Sequence, residues 1–515
     1  MRRMGEHDIA AKDPLLMTEA EAYAYYAPDT AFVIDLSIID TNTITIPNFA
    51  PKGAFGPFCP ATILWGDGTS DTVFSSYWGQ ELSHTYEKAG VYVIRVPPCP
   101  DKSTWYGLWW GDSAPSNFRD AILRVLRWSD YSANSGFGYC TNLTEFPDGK
   151  LARWPDTKTS IGSVYNGCTG LTATELPDWP SGLTSIGSVY SGCTGLTATE
   201  LPDWPSGLTS IGSVSNNMAG GVYADCKNIH ITKVPEWPKA LKAIRGNSGW
   251  NNDSVFYNVD IDVTELPEWP EGLEVIAGGV YNGCKNIRAK VPKWPSSLKS
   301  IIIAYYYSSP AVYDGCTGLY GEVPEWPEGL ERLDSGVYTG CTGLTGEIPA
   351  WPTSLTSANY TYSGCTGLTG APADWSNCTA LTSIESVYNG CSKLTGEIPA
   401  FPPNVKNVNR AYQKCVGLYG DAPEWPDTVT TAHDTFWNTK VSGLIKKWGA
   451  AMVTATWTYE NCKYLTGAWT DDPAELMPTN ITSHDSCVSG ASDALRALFY
   501  SDWGGTRTKE ETTTT

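Results

Sequence analysis

A nineteen-residue phrase, Leu-Thr-Ala-Thr-Glu-Leu-Pro-Asp-Trp-Pro-Ser-Gly-Leu-Thr-Ser-Ile-Gly-Ser-Val, stands at 171–189 and recurs unchanged at 196–214. A chain that repeats itself at this spacing builds its core by stacking like units, because one unit of this size cannot bury its apolar edge alone. Variants continue downstream. Aligned on the cysteine of a Tyr-x-Gly-Cys-x-x-Leu step, the anchors are Cys140, Cys168, Cys193, Cys226, Cys284, Cys316, Cys341, Cys365, Cys391, Cys415, Cys462 and Cys487, with Val259 and Thr439 filling two double-length gaps. This predicts about fourteen turns, usually of 24–25 residues.

Each turn has a second fixed point, an aromatic followed by proline: Trp154, Trp179, Trp204, Trp237, Trp269, Trp294, Trp326, Trp351 and Trp425, with Trp375, Phe401 and Trp448 in equivalent places. Prolines on both sides of the Trp hold that segment extended, so it reads as a polyproline-like side of the coil. The Ile/Leu-x-Ser-Val-Tyr side reads as the short strand or turn. The fold class expected is a leucine-rich-repeat solenoid of short strands and extended segments. With 50 Gly and 35 Pro in 515 residues, no long helical fold is available.

These residues resemble the BspA-like leucine-rich repeats of bacterial surfaces over roughly residues 120–490. The resemblance implies surface adhesion, and similar repeats also occur in phages that infect gut bacteria. Upstream, Ile63-Leu64-Trp65-Gly66-Asp67-Gly68-Thr69, then His84-Thr85-Tyr86, then Ala89–Val96 resemble a PKD-type β-sandwich, a domain that usually serves as spacer or stalk. Gly-Asp-Gly-Thr is independently a hairpin signal, and Val91–Val96 is rich in strand formers. The organisation expected is an N-terminal arm at 1–28, a docking segment with sticky tyrosines Tyr23, Tyr25 and Tyr26; a small all-β sandwich at 29–118; the solenoid at 119–490; and a C-terminal cap and polar tail at 491–515, with a short helix-like stretch at Ala491–Phe499.

A net charge of −20 and the lack of a basic stripe argue against nucleic acid and anionic membranes as partners. No apolar run approaches the ~20 residues of a membrane span. The N-terminus has two arginines but no apolar stretch behind them, which points to synthesis and folding in a cytoplasm.

Cysteines recurring once per turn form a ladder without accompanying histidines, so they read as a buried column of thiols and not as metal or disulfide sites. Cys59, Cys99 and Cys378 lie outside it. The tryptophans allow two readings: a sugar-stacking platform assisted by Asp178, Asp203, Glu236, Glu268 or Glu325, or an aromatic ladder packed between turns, which every-turn recurrence favours. Three turns are longer, with 22 residues from Trp204 to Cys226, Trp237 to Val259 and Trp294 to Cys316. Insertions in a solenoid map to loops on one face. These carry Asn216 and Asn217; Trp250, Asn251, Asn252 and Asp253; and Tyr305, Tyr306 and Tyr307, the residue types of adaptable binding surfaces, and are the expected ligand-contact patch.

No catalytic signature accompanies the five histidines, so a non-enzymatic protein without cofactor or metal is expected. Asp67 and Asp71 read as turn residues and not as calcium ligands. Surface-type repeats behind an unsignalled N-terminus point to a phage fibre or decoration protein. It would dock to virion proteins through its arm and contact host-surface glycans or proteins, with a homo-oligomer among the forms expected. The alternatives are a bacterial cell-surface adhesin, a purely structural capsid or tail component, and a glycan-degrading enzyme.

Overall fold

The structure is a computed structural model that describes residues 12–46, 49–51, 61–73, 82–98, 106–108, 115–129, 136–212, 221–245, 255–302, 312–334, 336–470, 481–483, 487–491 and 495–496. The chain divides into two compact units, residues 1–320 and 321–515.

The first unit opens with helix α1 (Glu19–Tyr25). Thr18 caps it and Glu21 reaches back, a capping box that satisfies the free N–H groups of the first turn. Strands follow as β1 (Thr30–Asp35), β2 (Thr43–Ile46), β3 (Phe49–Pro51), β4 (Ala61–Leu64), β5 (Ser70–Val73), β6 (Leu82–Thr85), β7 (Val91–Val96) and β8 (Tyr106–Leu108); then come helix α2 (Ser116–Ala121) and strand β9 (Ile122–Arg127). A five-stranded antiparallel sheet runs β5-β4-β7-β1-β9, with two-stranded pairs β2-β6 and β3-β8. The Gly-Asp-Gly-Thr stretch is the β4–β5 hairpin. Asp67 closes it by accepting from the Thr69 N–H at 2.9 Å and hydroxyl at 2.6 Å, while Asp71 accepts from the Trp65 indole at 2.7 Å. His84 stacks on Trp65 with ring centres 4.6 Å apart, and the Tyr86 hydroxyl donates to the Trp65 carbonyl. The three sequence pieces thus meet in one cluster.

Two expected boundaries change. Strand β9 lies beyond residue 118 yet pairs with β1, because its apolar residues Ile122, Val125 and Leu126 fill the core beside Phe32 and Ile34. Residues 12–28 are not a free docking arm. Met17, Ala22 and Tyr26 are buried, Arg124 donates to the Leu15 carbonyl, and Glu19 grips Arg153 of the first coil through two hydrogen bonds. The Tyr23 ring lies under the guanidinium groups of Arg127 and Arg153 at 4.8 and 4.4 Å. The arm's tyrosines are drawn in because two partly desolvated arginines need a π-face and a carboxylate.

The rest of the first unit and the second unit are solenoid. The strand side is Ser160–Gly162, Ser185–Gly187, Ser210–Ile211, Ala243–Arg245, Val275–Ala277 and Ser300–Ile302, paired in parallel and in register. In the second unit the equivalent ladder steps through Arg332–Leu333, Ser357, Ser383, Asn407, Thr431, Thr454 and Ser483. Each coil turns its apolar residues inward: in one coil Leu183, Ile186, Val189, Tyr190, Cys193, Leu196, Leu201 and Trp204 are all buried. The glycine before the cysteine sits at positive φ (Gly167 72°, Gly192 73°), a conformation in which glycine bears no Cβ penalty; Asp225, Asn258 and Asn461 take the same place elsewhere.

The thiol column is a hydrogen-bonding device. Cys168, Cys193, Cys226, Cys284 and Cys316 donate at 2.8–3.0 Å to the carbonyl of the aromatic residue one coil back, and Cys365, Cys391, Cys415 and Cys462 do the same at 3.0–3.1 Å. Burial pushes the Cys168, Cys391 and Cys462 thiols up to about 12. Cys378 is also buried, 3.6 Å from the Pro352 carbonyl. Cys59 and Cys99 lie outside the described residues, as does most of the helix-like stretch Ala491–Phe499.

Candidate functional site

The site is assembled at one corner of the coil. In most of the described coils the backbone turns through the left-handed region two residues before the ladder aromatic, which ends the short strand and starts the next side. In regular coils of the first unit that residue is serine, Ser163 and Ser188, both at φ 51°. In the second unit it is Tyr360 (56°), Ser386 (52°), Arg410 (55°), Asp434 (56°) and Trp457 (53°). Successive corners are tied by backbone hydrogen bonds of 2.7–2.9 Å, from Tyr360 to Glu385, Ser386 to Asn409, Arg410 to His433 and Asp434 to Thr456. Four such steps at a strand spacing of ~4.8 Å extend roughly 19 Å.

Side chains along this edge form a connected network. The Tyr360 hydroxyl donates to Glu385 Oε1 at 2.6 Å, and Asn407 Nδ2 donates to Glu385 Oε2 at 3.0 Å. Asn359 Oδ1 accepts from the Ser383 hydroxyl and the Glu385 N–H, and Asn409 Oδ1 accepts from the His433 N–H. Arg410 Nε donates to Asp434 Oδ2 at 3.3 Å; His433 Nδ1 is 3.3 Å from the same carboxylate and 3.2 Å from the Thr456 carbonyl. Trp457, 39% exposed, lies against His433 with ring centres 4.9 Å apart. Beside them Lys414 sits 5.0 Å over the Trp437 ring. Burial, followed by the Glu385 carboxylate, pushes the Tyr360 phenol up to about 12 against the opposing charge of Arg410. It is therefore a neutral donor across the physiological range. The edge offers an exposed indole, a half-buried phenol, and polar groups held in place by neighbouring coils.

In the sequence of the first unit the three insertions fall between the strand residue and the ladder aromatic. Their flanks are Gly212 and Gly221, Arg245 and Val255, and Ile302 and Val312, each pair between a strand residue and the ladder aromatics Tyr223, Phe256 and Tyr313. Asn216, Asn217, Trp250, Asn251, Asn252, Asp253, Tyr305, Tyr306 and Tyr307 themselves lie outside the described residues.

The sugar-platform reading of the tryptophans is corrected. Trp179, Trp204, Trp237, Trp269, Trp294, Trp326, Trp351 and Trp425 are only 4–7% exposed. They stack indole on indole, with centres 5.5–6.3 Å apart from Trp179 to Trp294 and 6.3 Å apart between Trp326 and Trp351. A parallel column, Tyr165, Tyr190, Tyr223, Phe256, Tyr281 and Tyr313, then in the second unit Tyr338, Tyr362, Tyr388, Tyr412, Phe436 and Tyr459, stacks beside it. Trp326, Trp351, Trp375 and Trp425 donate to the hydroxyls of Tyr362, Tyr388, Tyr412 and Tyr459, one coil further on. Buried to this degree and stacked between neighbouring coils, these indoles have no face left for a sugar.

Sequence reasoning passed over Tyr360, Glu385, Arg410 and Trp457. The signal that finds Tyr360, Arg410 and Trp457 is the departure from serine or glycine two positions before the ladder tyrosine, and Glu385 follows as the neighbour that receives the Tyr360 hydroxyl. Among the described residues no group of three His, Cys, Asp or Glu side chains is placed to hold a metal ion.

No protein-family model matches the chain, and no curated protein matches it. Among solved structures it is similar to a leucine-rich repeat protein from Eubacterium ventriosum, at 18% identity over 63% of this chain and 84% of that one, with a TM-score of 0.36. It is also similar to YopM from Yersinia enterocolitica, at 15% identity, 75% and 88% coverage and a TM-score of 0.23. A third is YopM from Yersinia pestis, described as a leucine-rich effector protein, at 16% identity, 65% and 85% coverage and a TM-score of 0.23. The parallel ladders and inward leucine columns described above are what make the repeat region a leucine-rich-repeat solenoid.

Proposed function

We propose that this chain is a non-enzymatic recognition protein, a BspA-like surface solenoid carried on a phage particle as a fibre or decoration protein, which attaches to the host surface through its corner edge. The N-terminal sheet serves it as a PKD-like stalk module. One observation carries the recognition reading. Tyr360 and Trp457 place bulky aromatics at the positive-φ corner where other coils carry serine, a position at which a non-glycine residue costs roughly 1–2 kcal/mol, and both side chains remain 36% and 39% exposed. Strain kept at exposed residues of recognition type is the mark of a working surface.

The coil interior is uniform from turn to turn, as stacking requires, whereas the corner varies from turn to turn and gathers Tyr, Glu, Arg, His and Trp. The three longer turns carry Asn-, Trp- and Tyr-rich insertions in their sequence between the strand residue and the ladder aromatic. The virion assignment rests on the surface-type repeats, and its test is proteomics with cryo-imaging of purified particles from the source culture. Presence on the particle with the solenoid outward supports it; absence from particles sinks it, and recovery on cell envelopes makes the chain a cellular adhesin. A reducing-sugar release assay on envelope glycans is expected to show no activity, and release above background overturns the non-enzymatic part.

A further inference from the structure

We infer that the Tyr360–Trp457 edge of the second unit is a binding site for a linear, uncharged glycan laid along the solenoid axis; this deepens the recognition reading above and rests on it. The chemistry comes from what each coil contributes. At one end stands Trp457, its indole exposed and steadied by His433. Such a ring face takes the apolar C–H face of a pyranose, since an aromatic offers contact area without a directional polar demand. At the other end stands Tyr360, its phenol held on Glu385. Between them lie the half-buried carboxylate of Glu385 and the partly exposed guanidinium of Arg410, which take and give hydrogen bonds as ring hydroxyls require, with the buried Asp434 carboxylate holding Arg410 in place.

Three further features select the ligand class. The polar groups are already positioned: Asn359, Asn407 and Asn409 bridge consecutive coils and fix Glu385 and His433 before any ligand arrives, which lowers the ordering cost of binding. Arg410 is already matched by Asp434 and Lys414 lies over the Trp437 ring, so neither stands bare to draw an acidic polymer. The chain's charge of −20 opposes such a polymer at longer range. Finally, the groups recur at the coil spacing of ~4.8 Å, on the scale of one sugar unit, along a strip and not in a pocket. That suits a repeating linear ligand better than a folded protein epitope.

The test uses the full chain and bacterial envelopes from the source culture, untreated, oxidised with periodate to cleave vicinal diols, or digested with protease. Periodate is expected to abolish binding, while protease and raised salt leave it in place. Trp457→Gly and Tyr360→Gly, which relieve the positive-φ strain and so should fold with an unchanged or higher Tm, are expected each to weaken binding at least about tenfold. Trp457→Tyr is expected to keep most of it. Loss of binding to protease instead of periodate assigns a protein partner and overturns this inference while the recognition reading stands. Steep loss with salt assigns an acidic ligand and overturns the uncharged class. Periodate-sensitive binding that both glycine variants retain moves the site elsewhere and also overturns the inference. No binding to untreated envelopes fails the recognition reading and this inference together.

Discussion

At the residue scale the molecule is governed by what each coil position can tolerate. Gly212 follows the strand residue Ile211 at φ 93°, and a Cβ added there would meet the Arg245 carbonyl oxygen of the next coil at 1.5 Å. Gly212→Ala is therefore expected to lower stability by roughly 2–4 kcal/mol, read as a drop in Tm, because both the backbone angle and the coil spacing must give. The thiol column makes a prediction about pH. Cys168, Cys391 and Cys462 hold their protons to about 12 in the coil against an ordinary value of 9.0. A group whose folded value is raised contributes stability that is complete below the unfolded value and lost as pH climbs toward the folded one. The solenoid should thus hold a level Tm below pH 9 and melt progressively earlier from there toward 12. A Tm flat through that window would contradict the burial of these thiols. Iodoacetamide should likewise label them only after denaturation.

At the element scale the surprise is α1. Read by itself, Tyr23-Ala24-Tyr25-Tyr26 lacks a core and suggests an arm waiting for a partner. In the structure the first coil and β9 supply the partner, through Arg153, Arg127 and Arg124. α1 therefore helps to close the start of the solenoid, which a repeat array needs because its first coil has no predecessor to cover it. Removing residues 1–28 is expected to lower Tm and promote self-association by uncovering the apolar ground under Met17, Ala22 and Tyr26. Glu19→Ala should cost about 1 kcal/mol, discounted because Arg153 is half exposed. If the truncated chain melts like the intact one, the docking role returns as the better account of this segment.

At the scale of the whole molecule, stability is a sum over neighbouring coils. Residues 171–195 form one full period, and deleting them joins Gly170 to Leu196 in the sequence context that Gly195 already has. The shortened chain is expected to fold with an unchanged circular dichroism signal per residue and only a small fall in Tm. A collapse of the fold would mean that the coils are not interchangeable. Function scales differently from stability: the corner network takes one or two residues from each of several coils, so no single repeat contains it.

The period, the inward columns of leucine, cysteine and tryptophan, the β4–β5 hairpin and the strand side of the coil were all legible in the sequence. Each is enforced locally or repeated every turn, so one coil states the rule for the next. The sequence also held the argument that an every-turn tryptophan is structural, and Trp179 through Trp294 are buried. Only the tertiary structure decided which non-repeating residues become neighbours. Tyr360 and Trp457 are 97 positions apart in the chain and four coils apart along the ladder. Their proximity comes from stacking, which converts a separation of about 24 residues per turn into a few ångström. Tertiary structure likewise decided that the arm's tyrosines lie against arginines, since that contact joins Tyr23 to Arg153 across 130 residues with no local signal for either to meet the other.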